Sequence, residues 1–249
     1  MSFSIEQIDT RTVDESKLKA LHQLYLEWDS EWTPDDPEMP FPKRQAEWRN
    51  VRDLEDIPRW VIDGYSTILW EVDDEFERLG EPGPDIVVMQ IGVGAFAAAV
   101  TRHYRRAGVS PSPFLLGVEP LDAACVLGSI EAGELIHVPG PYRSIMAGLN
   151  CGTPSPVAWP VLRSGIDQFV AVDDEWARAA MRLLARSGIV AGESGAAGLA
   201  GLLALFHEHS PAALRLTPAT RILIFNTEGA TDPEGYARIV GEEKTQAIS

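Results

Sequence analysis

The sequence predicts an α/β layered fold built around a largely parallel sheet. Three observations carry that expectation. From Asp85 onward, apolar runs of strand length alternate with stretches of helical periodicity. The run DIVVMQI is continuously apolar, as expected of a strand covered on both faces, and FLLGVE and RILIFN read as further strands. Glycines follow the first of these runs directly, where a strand must turn tightly into a helix.

In chain order, Asp14 to Trp32 reads as an amphipathic helix with Leu18, Leu21, Leu24, Tyr25, Trp28 and Trp32 near one face. Pro34, Pro37, Pro40 and Pro42 then end it, because proline cannot continue a helix. Trp28, Trp32, Trp48, Trp60 and Trp70 crowd this early region, whereas glycine and alanine dominate later. The shift predicts a helical N-terminal segment over residues 1–52 and a main region over residues 53–249. A second helix starts around Ile57, with Pro58 at a permitted first-turn position. Its apolar residues Val61, Tyr65, Ile68, Leu69, Val72, Phe76 and Leu79 follow helical spacing up to Gly80. Beyond the strand DIVVMQI come a helix over Ala95–Ala107 and the strand FLLGVE ending at Glu119. Then follow the strand DQFVAV, helices over about Asp173–Ala185 and Gly195–Phe206, and the strand RILIFN.

Bulk properties exclude several functions. A formal charge of −16 argues against nucleic acid and anionic membrane, which both need a basic surface. No apolar run approaches the roughly 20 residues that span a bilayer, and the opening MSFSIEQIDTRTVDESK lacks the apolar core of a signal peptide. Cys125 and Cys151 form no CxxC pair and suit a reducing cytoplasm, where they would act as small buried hydrophobes. A cytoplasmic enzyme, or part of one, is the class that remains.

The first chemical feature is Gly92-Val93-Gly94-Ala95-Phe96-Ala97, between a strand and a helix. Glycines let backbone N–H groups approach an anion, and the helix N-terminus adds about half a positive charge. A phosphate against Gly92, Val93, Gly94, Ala95 and Phe96 is one reading. The same residues fit the GxGxxA dinucleotide fingerprint, with Glu119 where a ribose partner belongs, so an NAD(P)-dependent oxidoreductase is a second. A tight turn that needs glycine for geometry alone is a third. Other signals have plainer readings. His207 and His209 in HEH lie two residues apart, on different sides of a helix, and make a poor metal pair. Arg102, Arg105 and Arg106, and the acidic stretch Glu71–Glu77, read as solvated helix faces. Ser194 in GESG does not stand in a nucleophile elbow.

Further stretches narrow the choice: EDIPRWVIDGY (55–65), MQIGVGAFAAAV (89–100), GVEPLDAACVLGSI (117–130), SIMAGLNCGTPSPVAWPVL (144–162), VAGESGAAGLAGLLAL (190–205) and FNTEGATD (225–232). In this order they resemble the diaminopropionate ammonia-lyases, which are pyridoxal-phosphate (PLP) enzymes of the tryptophan synthase β type. The resemblance runs from about Glu55 to Gly241, and MAGLNCGTPSP is its most specific string. It implies a three-layer, largely parallel sheet, truncated on its N-terminal side. It also implies PLP as cofactor, a small amino acid as substrate, and β-elimination of 2,3-diaminopropionate to pyruvate and ammonia.

By the same resemblance, Gly92 to Phe96 would cup the PLP phosphate and Thr227 would approach the pyridine nitrogen. Glu193 and Ser194 would lie beside the ring, with Glu119 and Pro120 near the cleft. One element is missing. The family's cofactor-bearing lysine lies well upstream of the phosphate loop, and here Lys17, Lys19, Lys43 and Lys244 are the available lysines. None has the family's context, and each reads as surface charge. Residues 1–52 instead resemble the first helices of Gcn5-related acetyltransferases, without a pyrophosphate loop before residue 80. A PLP fold short of its N-terminal half should expose strand edges, so homodimer formation or other self-association is expected.

Overall fold

The computed structural model describes Glu15, Lys19, Ile62 and residues 64–106, 108–109, 111–208 and 216–241. Apart from Glu15 and Lys19, these belong to the unit Val61–Ser249. The proline-rich break, the boundary at residue 52, Lys17, Lys43 and Lys244 lie outside the described residues. Of the helix expected over 14–32, only Glu15 and Lys19 are described; both are helical, and their side chains pair at 2.8 Å.

Helix α1 (Ser66–Leu79) ends where expected, at Gly80 with φ 67°. There the Gly80 N–H donates to the Glu77 carbonyl and the Glu81 N–H to that of Phe76, which satisfies the last carbonyls of the helix. Strand β1 (Ile86–Gln90) leads through the glycine turn into α2 (Ala95–Tyr104), and β2 (Phe114–Pro120) follows. Beyond it come α3 (Cys125–Ala132), α4 (Trp159–Gly165), β3 (Gln168–Val172), α5 (Asp174–Arg186), α6 (Ala197–Glu208), β4 (Ile222–Ile224) and α7 (Pro233–Gly241). Between α3 and α4 the chain runs largely as loop and carries the MAGLNCGTPSP string.

The sheet is parallel throughout, in the order β3-β2-β1-β4. Ile86 stands in register with Phe114 on one side and Ile222 on the other. Successive strand residues point to opposite faces and feed two cores. Val88, Leu116, Val118 and Val172 pack with α5, α6 and α7, whereas Val87, Met89 and Leu115 pack with α1 to α4. The result is the expected three-layer architecture. Helix α6 lies close over the sheet because its small residues permit it. A Cβ at Gly201 would fall 2.4 Å from Val118 Cγ2.

Three helices were not anticipated: α3, α4 and α7. The start of α3 lacks a local side-chain cap, and its first amides are held instead by Glu119 on β2. RILIFN forms the short, partly buried strand β4, three residues long. Among the described residues β3 and β4 are the edges of the sheet, and none of the helices is long and apolar enough to cross a membrane. Arg102 and Arg106 are exposed, as expected of a solvated face, whereas Arg105 is partly buried. Arg105 Nε donates to the Gly165 carbonyl at 2.9 Å and the guanidinium pairs with Asp167, while Arg106 pairs with Asp73 at 2.9 Å.

Candidate functional site

The carboxyl ends of β1 and β4 are neighbours, because Val88 and Ile224 are in register and both strands run the same way. Ligands of open parallel sheets bind outside the strands' carboxyl ends. The chain leaves β1 after Gln90 and turns through Gly92-Val93-Gly94 into α2. Gly94 is the N-cap of α2 with φ 95°, in the left-handed region, and a Cβ there would lie 2.5 Å from Leu162 Cδ1. At Gly92 a Cβ would sit 3.2 Å from the Gly148 carbonyl oxygen and 3.3 Å from Cys151 Sγ. Geometry therefore demands glycine at position 94 and favours it at 92, where a Cβ would be crowded, which satisfies the plainest of the three readings without excluding the others. No side chain caps α2, so its first-turn amides have no side-chain acceptor. Val93 is exposed, which opens the turn to solvent. Ala95 and Phe96 begin the helix, and the Phe96 ring packs edge-on against Tyr65 and Phe225, at 5.6 and 5.2 Å between ring centroids.

A closed chain of contacts joins this turn to the other motifs. The MAGLNCG loop backs Gly92, and its Gly148 N–H donates to Ser194 Oγ at 3.1 Å. The Ser194 N–H donates to Glu228 Oε2 at 2.8 Å, the Gly195 N–H reaches the same oxygen at 3.3 Å, and the Gly192 N–H donates to the Glu228 carbonyl at 2.9 Å. Thr227, next to Glu228, accepts a 2.7 Å hydrogen bond from Gln90 Nε2, which returns the circuit to β1. Thr227 is exposed and Glu193 is partly buried. The structure thus brings Gly92, Val93, Gly94, Ala95, Phe96, Glu193 and Thr227 to one end of the sheet. Ser194, by contrast, is buried and committed to holding two loops together.

Three residues of this circuit were missed in the sequence: Gln90, Gly148 and Glu228. Gln90 carried a signal, since it is the one polar residue in an otherwise apolar strand.

Glu119 is 1% exposed and accepts from the Val126 and Leu127 amides at 2.8 and 2.7 Å. Burial pushes its carboxyl up to about 7, against the pull of those amides. A carboxylate sealed in this way has no access to a ribose, so the partner required by the dinucleotide reading is absent. Cys125 donates to the Gly92 carbonyl at 3.7 Å, and burial, reinforced by the Glu119 charge, pushes its thiol up to about 12. Burial raises Cys151 as well. Both cysteines pack as neutral thiols against the glycine turn, as expected of them. His207 stacks beside Trp176 at 5.3 Å, and His209 lies outside the described residues.

A model of the family described as "Pyridoxal-phosphate dependent enzyme" matches residues 43–227. The chain belongs to that family. The diaminopropionate ammonia-lyase of Escherichia coli K12 is 34% identical over 216 residues, covering 81% of this chain and 54% of the relative. That of Salmonella typhimurium LT2 is 33% identical over 198 residues, covering 75% and 49%. The crystal structure of the E. coli enzyme in complex with an aminoacrylate–PLP azomethine reaction intermediate superposes with a TM-score of 0.67 at 34% identity, over 76% of this chain and 50% of that one. The chain spans about half the length of the curated relatives it matches. The fold is that of the family, and the expectation drawn from the six motifs holds at that level.

Proposed function

We propose that this chain forms the phosphate- and ring-binding side of a PLP-dependent ammonia-lyase acting on a small amino acid such as 2,3-diaminopropionate, and that it is catalytically incomplete alone. One observation carries the proposal. The uncapped N-terminus of α2, with its glycine cradle, ends up beside a threonine hydroxyl oriented by a buried glutamine.

The residues present fit the cofactor. Gly92, Val93, Gly94, Ala95 and Phe96 offer backbone amides and the positive end of a helix to a phosphate dianion, without a side chain in the way. Thr227 offers a hydroxyl to the pyridine nitrogen, and a hydroxyl there does not require that nitrogen to be protonated. Glu193 borders the same end of the sheet. Bound there, PLP supplies the electron sink that lets a leaving group depart from the β-carbon. The protein's share is to bind the phosphate, hold the ring and set the hydrogen bond at its nitrogen.

Incompleteness follows from where the lysines are. No lysine occurs between Lys43 and Lys244, a span that contains every strand of the sheet. Lys19 is helical, 61% exposed at its side chain and ion-paired with Glu15. The lysine that carries the cofactor in this chemistry is therefore not supplied by the span that builds the sheet. Residues 1–52 form a separate segment in this proposal, with 53–249 as the PLP region. The acidic charge and the site's small polar groups suit a cytoplasmic, small-molecule role.

The test is a PLP titration of the purified chain, followed by borohydride reduction and peptide mapping. Saturable binding without a trapped lysine is the expected result. A cofactor trapped on Lys17, Lys19, Lys43 or Lys244 would overturn the incompleteness. A folded protein that binds no PLP would overturn the cofactor site itself.

A further inference from the structure

We propose that Gln90 fixes the direction of the Thr227 hydroxyl, making it a hydrogen-bond donor to the ring nitrogen of bound PLP and so selecting the unprotonated ring. The inference rests on the PLP reading above and deepens it, by giving a positioning role to a residue of β1.

Gln90 is 4% exposed, and its side-chain amide can be oriented from its neighbours alone. Nε2 lies 3.3 Å from the Phe225 carbonyl oxygen and 2.7 Å from Thr227 Oγ1. A carbonyl only accepts, so the nitrogen and not the oxygen of the amide faces this pair. One N–H therefore goes to Phe225 and the other to Thr227. The Thr227 oxygen is then an acceptor toward Gln90, and its own proton must leave in another direction. The Thr227 hydroxyl donates no hydrogen bond among the described residues, and the residue is exposed, so its proton is free to meet a ligand. The nearest carboxylate in sequence, Glu228, is engaged with the Ser194 and Gly195 amides and with the Thr231 hydroxyl.

A donor presented to a pyridine nitrogen requires a lone pair there, so the paired geometry favours the neutral ring. The other side of the amide gains nothing, since Gln90 Oε1 is buried without a partner. The nitrogen side is thus where the group acts. The neutral ring withdraws electrons less strongly. Elimination tolerates that, because the departing β-substituent relieves the negative charge.

The full chain is loaded with PLP labelled with 15N in its ring, and the 15N chemical shift is read in wild type, Q90E, Q90M and T227S. Wild type and T227S should both show a hydrogen-bonded, unprotonated nitrogen. In Q90E the carboxylate accepts the Thr227 proton, the hydroxyl turns a lone pair toward the ring, and the resonance should move toward the protonated position. Q90M, which removes the donor without adding charge, should weaken PLP binding about fivefold, the effect of one lost neutral hydrogen bond. A protonated nitrogen in wild type overturns the inference whatever the variants do. An unchanged resonance in folded Q90E overturns it too. Failure of the parent reading looks different: wild type would then bind no PLP, and no ring signal would exist to compare.

Discussion

Replacing Gly94 with alanine tests the glycine cradle by two independent penalties. The backbone at this residue has φ 95°, which costs an L residue about 1–2 kcal/mol. The added Cβ would also lie 2.5 Å from Leu162 Cδ1, a methyl on a fully buried side chain, and such overpacking costs about 1–3 kcal/mol. Stiffening of the unfolded chain by alanine gives back about 0.4–1 kcal/mol. The net loss should be roughly 2–4 kcal/mol. Gly80 supplies the control. It too has a positive φ, 67°, but a Cβ there meets nothing within 4 Å, so G80A isolates the backbone penalty. Urea unfolding of G94A, G80A and wild type, with equal slopes, gives the two differences. PLP titration without denaturant, at a temperature where G94A stays folded, should show weakened binding in G94A and wild-type binding in G80A. If G94A loses no more stability than G80A, the packing of α4 against the turn is wrong. If G94A is destabilised yet binds PLP as wild type does, the phosphate does not sit at this turn.

Three further outcomes are expected. Glu119 should make stability fall as pH rises. Burial pushes its folded pKa up to about 7 from the ordinary carboxyl value of 4.5, so the folded state holds the proton more tightly. The group's stabilising contribution is therefore full below about 4.5 and is lost by about pH 7, a change on the order of 3 kcal/mol. Urea unfolding across that range should show a fall in wild type that is absent from E119Q, although E119Q is less stable overall for want of one capping bond; parallel profiles would refute the assignment. S194A leaves the Gly148 N–H without its acceptor and should cost about 1–3 kcal/mol, while also weakening PLP binding because the loop behind Gly92 loosens. Finally, β3 and β4 leave strand edges unpaired among the described residues, so light scattering of the purified chain should report a dimer or larger species. A monodisperse monomer would count against an open edge.

The legible and illegible parts of this fold divide by the range of the interactions that make them. The strand DIVVMQI and the end of the helix at Gly80 depend on local pattern and were readable to within a residue or two, whereas the start of that helix, expected around Ile57, lies at Ser66. Helix α3 depends on Glu119, at the end of the preceding strand β2, whose carboxylate turns back to hold its amides, and no capping residue marks its start. The same distinction holds within the site. Gly92 to Phe96 could be found because a phosphate cup is a contiguous stretch of backbone. Thr227 was found only through the family motif, and Gln90 not at all, because their partnership spans 137 residues and exists only once β1 and β4 lie side by side. Glu119 was misjudged for a related reason. An acid at a strand's carboxyl end looks like a ligand until the burial around it is known.

That division also explains how binding and catalysis can separate in this chain. A phosphate site made of backbone amides and a helix terminus is a property of the turn. It survives wherever β1, α2 and the loops behind them fold, whatever becomes of sequence elsewhere. Covalent PLP chemistry is a property of one amine at one place, and the span between Lys43 and Lys244 has none to offer. The two requirements respond differently to loss. Removing a lysine abolishes the chemistry and costs the fold little, whereas removing the glycine turn damages both. A fold with an intact cradle and no lysine anywhere between Lys43 and Lys244 is therefore a physically coherent state. It should hold the cofactor reversibly through its phosphate, with the ring nitrogen set by Gln90 and Thr227. Saturable PLP binding without lysine-linked cofactor is the result this division of labour requires.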